Sequence, residues 1–170
     1  LCLQRGDYES ARVWFDRALK HKDNAETKVN LGLLALKDGD LNKATSLIAE
    51  GSALPGVGDA LGYLYLRQGE YAKAETAYGD VTTNNAAVAQ ILNRNYSKAL
   101  KTLDAIATPD ATTDYLRAII ATRMGESAKA IASLQKALQK DESLTSRIDA
   151  DLEFAPLRSL KDFSQLVRLH

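Results

Sequence analysis

One short pattern recurs five times along this chain and dictates what it can become. In Gly69-Glu70-Tyr71 a glycine, an acid and a large ring are followed by a small residue, Ala74, and a second ring, Tyr78. The same order appears as Gly6-Asp7-Tyr8 with Ala11 and Phe15, and as Gly39-Asp40-Leu41 with Ala44 and Ile48. It returns as Asn95-Tyr96 with Ala99 and Leu103, and as Gly125-Glu126-Ser127 with Ala130 and Leu134. Markers taken at 8, 41, 71, 96 and 127 are separated by 33, 30, 25 and 31 residues. The glycine suits a helix C-terminus, where a positive φ is usually needed. The alanine suits a point where two helices approach too closely for a larger side chain. Tyr71 and Tyr78 lie seven apart and are expected to project from one helix face. Self-similarity with a period in this range is the signature of an all-α helical solenoid.

Taken in order, residues 1–5 read as the end of a helix, and 8–21 as its antiparallel partner with Trp14 and Phe15 as its bulk. Asp23 or Asn24 can cap the next helix, which runs to about Lys37 through Val29, Leu31, Gly32, Leu33, Leu34 and Leu36. A helix over 41–50 follows, and then a breaker cluster from Gly51 to Gly58 that includes Pro55. The third pair is expected at 59–68 and 71–81, and the fourth at 86–92 and 96–107. In that fourth pair Asn93-Arg94-Asn95 replaces the glycine turn, and the first helix is short by about a turn and a half. The fifth pair falls at 112–124 and 127–140. The tail begins with one more helix over 141–150. Phe154, Leu157 and Phe163 then supply an apolar side that can seal Ile131, Leu134 and Leu138 of the last helix, as the end of a solenoid requires. Two regions result: helical repeats over 1–140, the first incomplete, and a capping segment over 141–170.

Composition narrows the function. Lys plus Arg equals Asp plus Glu, 22 each, so no net field draws nucleic acid or an anionic membrane. No apolar run reaches the roughly 18 residues of a membrane span, so no direct membrane insertion is expected of this stretch. Two histidines at opposite ends and one cysteine offer no nucleophile–base set and no metal cluster. The expectation is no catalytic residues, no metal, no cofactor and no enzyme. Cys2 falls in the repeat register as an ordinary helix residue, and His21 as a solvated one. Gly56-x-Gly58 lacks the strand and third glycine of a phosphate loop. Asp149-x-Asp151-x-Glu153 lacks the glycine and distal glutamate of a calcium loop. Asn95-Tyr96-Ser97 fits a glycosylation acceptor, but the repeat register already accounts for Tyr96. The sequence begins inside a repeat and without methionine, as a piece of a longer protein would.

The repeats resemble the tetratricopeptide repeat, a helix–turn–helix unit of nominally 34 residues. The resemblance is carried by Leu31-Gly32, Ala35, Gly39, Leu41, Ala44 and Ile48, and again by Leu61-Gly62, Tyr65, Gly69, Tyr71, Ala74 and Tyr78. It covers about residues 1–140. The fourth unit departs from it in lacking the turn glycine, and the fifth in having Arg117-Ala118 for Leu-Gly. The tail, Asp151-x-Glu153-Phe154-x-x-Leu157, is similar to the closing segment of many bacterial repeat proteins. Some of those lie in the cell envelope, a pointer to periplasm or envelope that does not fix the compartment.

The resemblance implies a right-handed solenoid of antiparallel helix pairs with a C-terminal cap. It also implies a protein–protein interaction scaffold that holds a partner's peptide or helix in a concave groove. The alternative is an accessory or docking module of a larger envelope protein whose anchoring or catalytic part lies upstream. The family's groove register selects Val29, Leu33 and Leu36, then Asp59, Tyr63 and Leu66, then Asn84, Val88 and Ile91, then Tyr115, Ile119 and Thr122. Lys37, Arg67 and Arg123 form its rim. The partner-binding residues expected from it are Tyr63, Leu66, Arg67, Val88, Ile91, Tyr115, Ile119 and Arg123, with contacts centred on Tyr63, Leu66, Ile91 and Tyr115. Largely aliphatic and tyrosine positions suit an amphipathic helix or an apolar peptide rather than a carboxylate clamp.

Overall fold

The computed structural model describes residues 12, 13, 17 and 24–169. The helix expected over 8–21, with Trp14 and Phe15, lies outside the described residues apart from three positions, and Cys2 and His21 lie wholly outside them. The described residues contain helices and no strand. Four hairpins follow one another: α1 (Ala25–Lys37) with α2 (Leu41–Glu50), and α3 (Val57–Arg67) with α4 (Tyr71–Tyr78). Then come α5 (Asn84–Leu92) with α6 (Tyr96–Asp104), and α7 (Ala111–Arg123) with α8 (Ser127–Lys140). The tail holds α9 (Thr145–Ala150) and α10 (Lys161–Leu169), with 3-10 turns at Glu142–Leu144 and Leu152–Leu157. The chain divides into two compact units, Leu1–Gly79 and Asp80–His170.

The recurring pattern explains every described hairpin turn. Gly39, Gly69 and Gly125 take φ of 85°, 76° and 76°, the left-handed region that a side chain disfavours. The next N–H then reaches back to a carbonyl five residues earlier: Asp40 to Ala35 at 2.9 Å, Glu70 to Tyr65 at 2.9 Å and Glu126 to Ala121 at 2.8 Å. This closes the free end of the first helix. In the turn without glycine, Arg94 takes the same conformation at φ 63°, and Asn95 donates to the Gln90 carbonyl at 2.8 Å. The pattern's alanines, at 44, 74, 99 and 130, are all fully buried.

In unit 1, Gly32 and Gly62 mark where the helices of a pair nearly touch. A Cβ on Gly32 would sit 2.6 Å from Ile48 Cγ1, and one on Gly62 would sit 2.6 Å from the Tyr78 ring. Tyr78 is therefore buried, while Tyr71 stays 37% exposed at the edge, so the two rings do not project together as the spacing suggested. Gly79, at φ 60°, ends α4 at Tyr78 rather than at 81. Gly56, at φ 79°, lets α3 start at Val57, two residues earlier than expected. Ile48, Val57, Leu61 and Leu64 form the core, with Val29 and Leu36 of α1 packed against it. Asn42 at the start of α2 accepts a hydrogen bond from Gln68 just past α3 at 3.1 Å, which fixes these two helices antiparallel.

In unit 2, Ala87, Ile91, Ala99, Leu103, Leu116 and Ile120 bind α5, α6 and α7 together. Thr83 caps α5, its Oγ accepting from the Ala86 N–H at 3.2 Å, so that helix begins at Asn84 and is less shortened than the spacing implied. Asp110 caps α7 in a reciprocal box: Oδ1 accepts from the Thr113 N–H at 2.9 Å, and the Asp110 N–H donates to Thr113 Oγ at 3.1 Å. A second cluster joins Tyr115, Leu134 and Leu138 of α7 and α8 to Ile148, Phe154, Leu157, Phe163 and Leu166 of the tail. Phe154 and Leu157 are at most 1% exposed, and each buried side chain of this size contributes about 1.5–3 kcal/mol.

Candidate functional site

In the two pairs of unit 1 the first helix packs its Leu-Gly side inward and turns the following residue out. This leaves Leu33 44% exposed and Tyr63 47% exposed, each one residue after the glycine that touches the second helix. Helix α1 runs antiparallel to α2, and α2 to α3, so α1 and α3 are parallel. Both pack on one core cluster, with Val29 and Leu36 of α1 half-buried against it. Leu66 is half-buried too, while Asp59, Lys37 and Arg67 are exposed. Asp59 thus stands at one end of an apolar strip, and Lys37 and Arg67 stand at the other, in the last turns of α1 and α3. Behind the strip, burial raises the Tyr78 hydroxyl pKa, with the charges of Asp59 and Tyr63 adding to it.

The expected residues of unit 2 fare differently. Val88 and Ile119 are half-buried against the apolar clusters, and Ile91 is 3% exposed. Asn84 donates from Nδ2 to Asp110 Oδ1 at 3.1 Å and accepts from Thr113 Oγ at 3.0 Å. Thr122 is buried and its hydroxyl donates to the Ala118 carbonyl at 2.9 Å. Tyr115 is only 3% exposed. Its ring meets Phe154 edge-on at 5.3 Å between centroids, Arg147 lies over it at 4.8 Å, and its hydroxyl donates to Asp151. Burial and that aspartate push the tyrosine pKa up. Arg123 grips Glu153 with two donors, Nε at 2.9 Å from Oε2 and Nη2 on Oε1. Its Nη1 donates to the Ile91 carbonyl at 3.2 Å. The Glu153 bonds hold the guanidinium proton more tightly than usual, against a smaller opposing effect of burial.

The placement of Tyr115 and Ile91 as contact centres is therefore corrected: both are core, and neither offers surface to a partner. For Tyr115 the cause is the tail, whose Asp151 and Phe154 close over it. Asp151 and Glu153, two of the acids with calcium-like spacing, are engaged by Tyr115 and Arg123.

Two features escaped the sequence reading. A polar groove of about 740 Å³ lies on another side of α3, lined by Asn42, Ser46, Tyr65, Gln68 and Lys73 among others. Lys73 Nζ stands 5.8 Å from the Tyr65 ring centre there. A hollow of about 460 Å³ in unit 2 is bounded by Thr122, Arg123, Glu153, Pro156 and Leu152, the last 79% exposed. The described residues hold no group of three or more His, Cys, Asp or Glu placed to take a metal ion. None of the described helices is long and apolar enough to cross a membrane.

No curated protein matches the chain significantly. The family model of the tetratricopeptide repeat matches residues 59–88, which take in nearly all of α3, all of α4 and the first half of α5. Repeats of this family mediate protein–protein interactions and are typically not catalytic. That match, the helical hairpins and their repeated glycine turns support a tetratricopeptide-repeat protein.

Proposed function

We propose that this chain is an interaction scaffold, and that the strip on α1 and α3 of unit 1 receives an apolar helix or extended segment of a partner protein. The observation that carries this reading is the equivalence of Leu33 and Tyr63. They occupy the same place in successive repeats, and each keeps close to half of its surface in water. Leu36 and Leu66 extend the strip by one turn. Tyrosine is among the residue types that dominate binding energy at protein interfaces. A row of exposed large apolar side chains on one helical face suits a helix or strand that brings its own apolar row.

The test is site-specific photo-crosslinking in the source cell. A photoreactive side chain at position 63 or 33 should yield the same partner band. The same group at the exposed position Ala72 on α4 should yield none of it. Equal labelling from all three positions, or none from 63 and 33, overturns the reading. Circular dichroism of each variant checks that the fold is retained.

A further inference from the structure

Resting on that reading, we infer that the partner segment carries a carboxylate beside its apolar side chains, and that Arg67 receives it. The chain holds a pattern for this contact within itself. Arg123 lies four residues before the marker Ser127, in the last turn of a first helix, and grips Glu153 with two parallel donors. The residue after that acid is the buried Phe154. Acid and apolar ring thus arrive together, one on the guanidinium and one among the apolar side chains beside it.

Arg67 lies four residues before the marker Tyr71, again in the last turn of a first helix. It is exposed and makes no hydrogen bond or ion pair among the described residues. One position back is Leu66, and four back is the exposed Tyr63. An arginine fork presents paired N–H groups that match a carboxylate, and a charge-assisted pair of this kind fixes register as well as adding affinity. Lys37 holds the same place in α1, so the cationic end of the strip spans both helices. Asp59 at the opposite end repels a second acid there. The occupant therefore lies with its acidic end toward Lys37 and Arg67 and its apolar side chains over Leu33, Tyr63 and Leu66.

The test is a random peptide library displayed on phage and fused at its C-terminal end, so that no free terminal carboxylate is offered. It is panned on the full chain and on three variants, Tyr63→Ala, Arg67→Gln and Arg67→Glu. The expected result is a set of peptides that need Tyr63 and combine apolar residues with Asp or Glu. They should bind Arg67→Gln roughly fivefold more weakly, the upper end for a solvent-accessible pair. Panning on Arg67→Glu should return Lys or Arg in place of the acid. Peptides that need Tyr63 but show no acid preference, or the same peptides from Arg67→Glu, overturn the carboxylate inference and leave the interaction strip standing. Peptides indifferent to Tyr63, or no peptides at all, overturn both.

Discussion

At the scale of single residues, the repeat register fixes backbone conformations that residue identity alone does not. Gly69 and Arg94 occupy the same turn position, with φ of 76° and 63°. A side chain in that region costs about 1–2 kcal/mol, partly offset by glycine's greater freedom in the unfolded chain. Arg94→Gly should therefore stabilise the protein by roughly 0.5–1 kcal/mol, and Gly69→Ala should destabilise it by a similar amount. Urea unfolding of both variants checks the opposite signs. Asp110 gives a pH-dependent counterpart. The Thr113 N–H, with smaller help from Thr113 Oγ and Asn84, holds its carboxyl pKa below the usual aspartate value. A depressed folded pKa means stability that is fully present above the unfolded value of about 3.9 and lost as pH falls through the folded one. Asp110→Asn keeps an accepting oxygen but cannot titrate. It should flatten the stability–pH curve below about pH 4 while changing stability at neutral pH by less than about 1 kcal/mol. Urea midpoints measured from pH 7 down to pH 3 decide this.

At the scale of elements, the tail of unit 2 separates two neighbouring residues sharply. Phe154 is fully buried and Leu152 is 79% exposed. Phe154→Ala should cost about 3–5 kcal/mol, and deleting 151–170 should cost more and promote aggregation. Leu152→Ala should stay within about 0.5 kcal/mol of the parent. Thermal melts of the three variants test the contrast. The same segment shows why the sequence was legible in one place and opaque in another. Hairpin turns, the close approach at Gly32 and Gly62, and the exposure of Leu33 and Tyr63 depend on residues within one repeat, so spacing reveals them. The burial of Tyr115 depends on Asp151 and Phe154, which follow it by a whole hairpin and lie outside the repeat pattern. Periodicity placed Tyr115 on the groove side and carried no information on what would cover it. Helix ends were off by one to three residues where a local device overrode the period, as Gly56, Gly79 and Thr83 do.

At the scale of the whole molecule, equal numbers of acids and bases leave no long-range field to guide a partner. Association of a selected peptide with the α1–α3 strip should then proceed on the order of 10⁵–10⁶ M⁻¹s⁻¹, with the affinity differences among variants appearing in dissociation. Stopped-flow fluorescence of a labelled peptide at two salt concentrations would reveal the contrary, a fast and steeply salt-dependent on-rate. Charge is distributed locally instead, and its most elaborate use is inward, where Tyr115 and Arg123 are engaged by Asp151 and Glu153. This has a consequence for how such a chain evolves. A hairpin inserted directly after Lys140 would separate α7 from the segment that completes it, leaving a buried tyrosine hydroxyl and a guanidinium without their carboxylates. A relative lengthened at its far end must therefore carry residues 111–170 along intact as one heritable block.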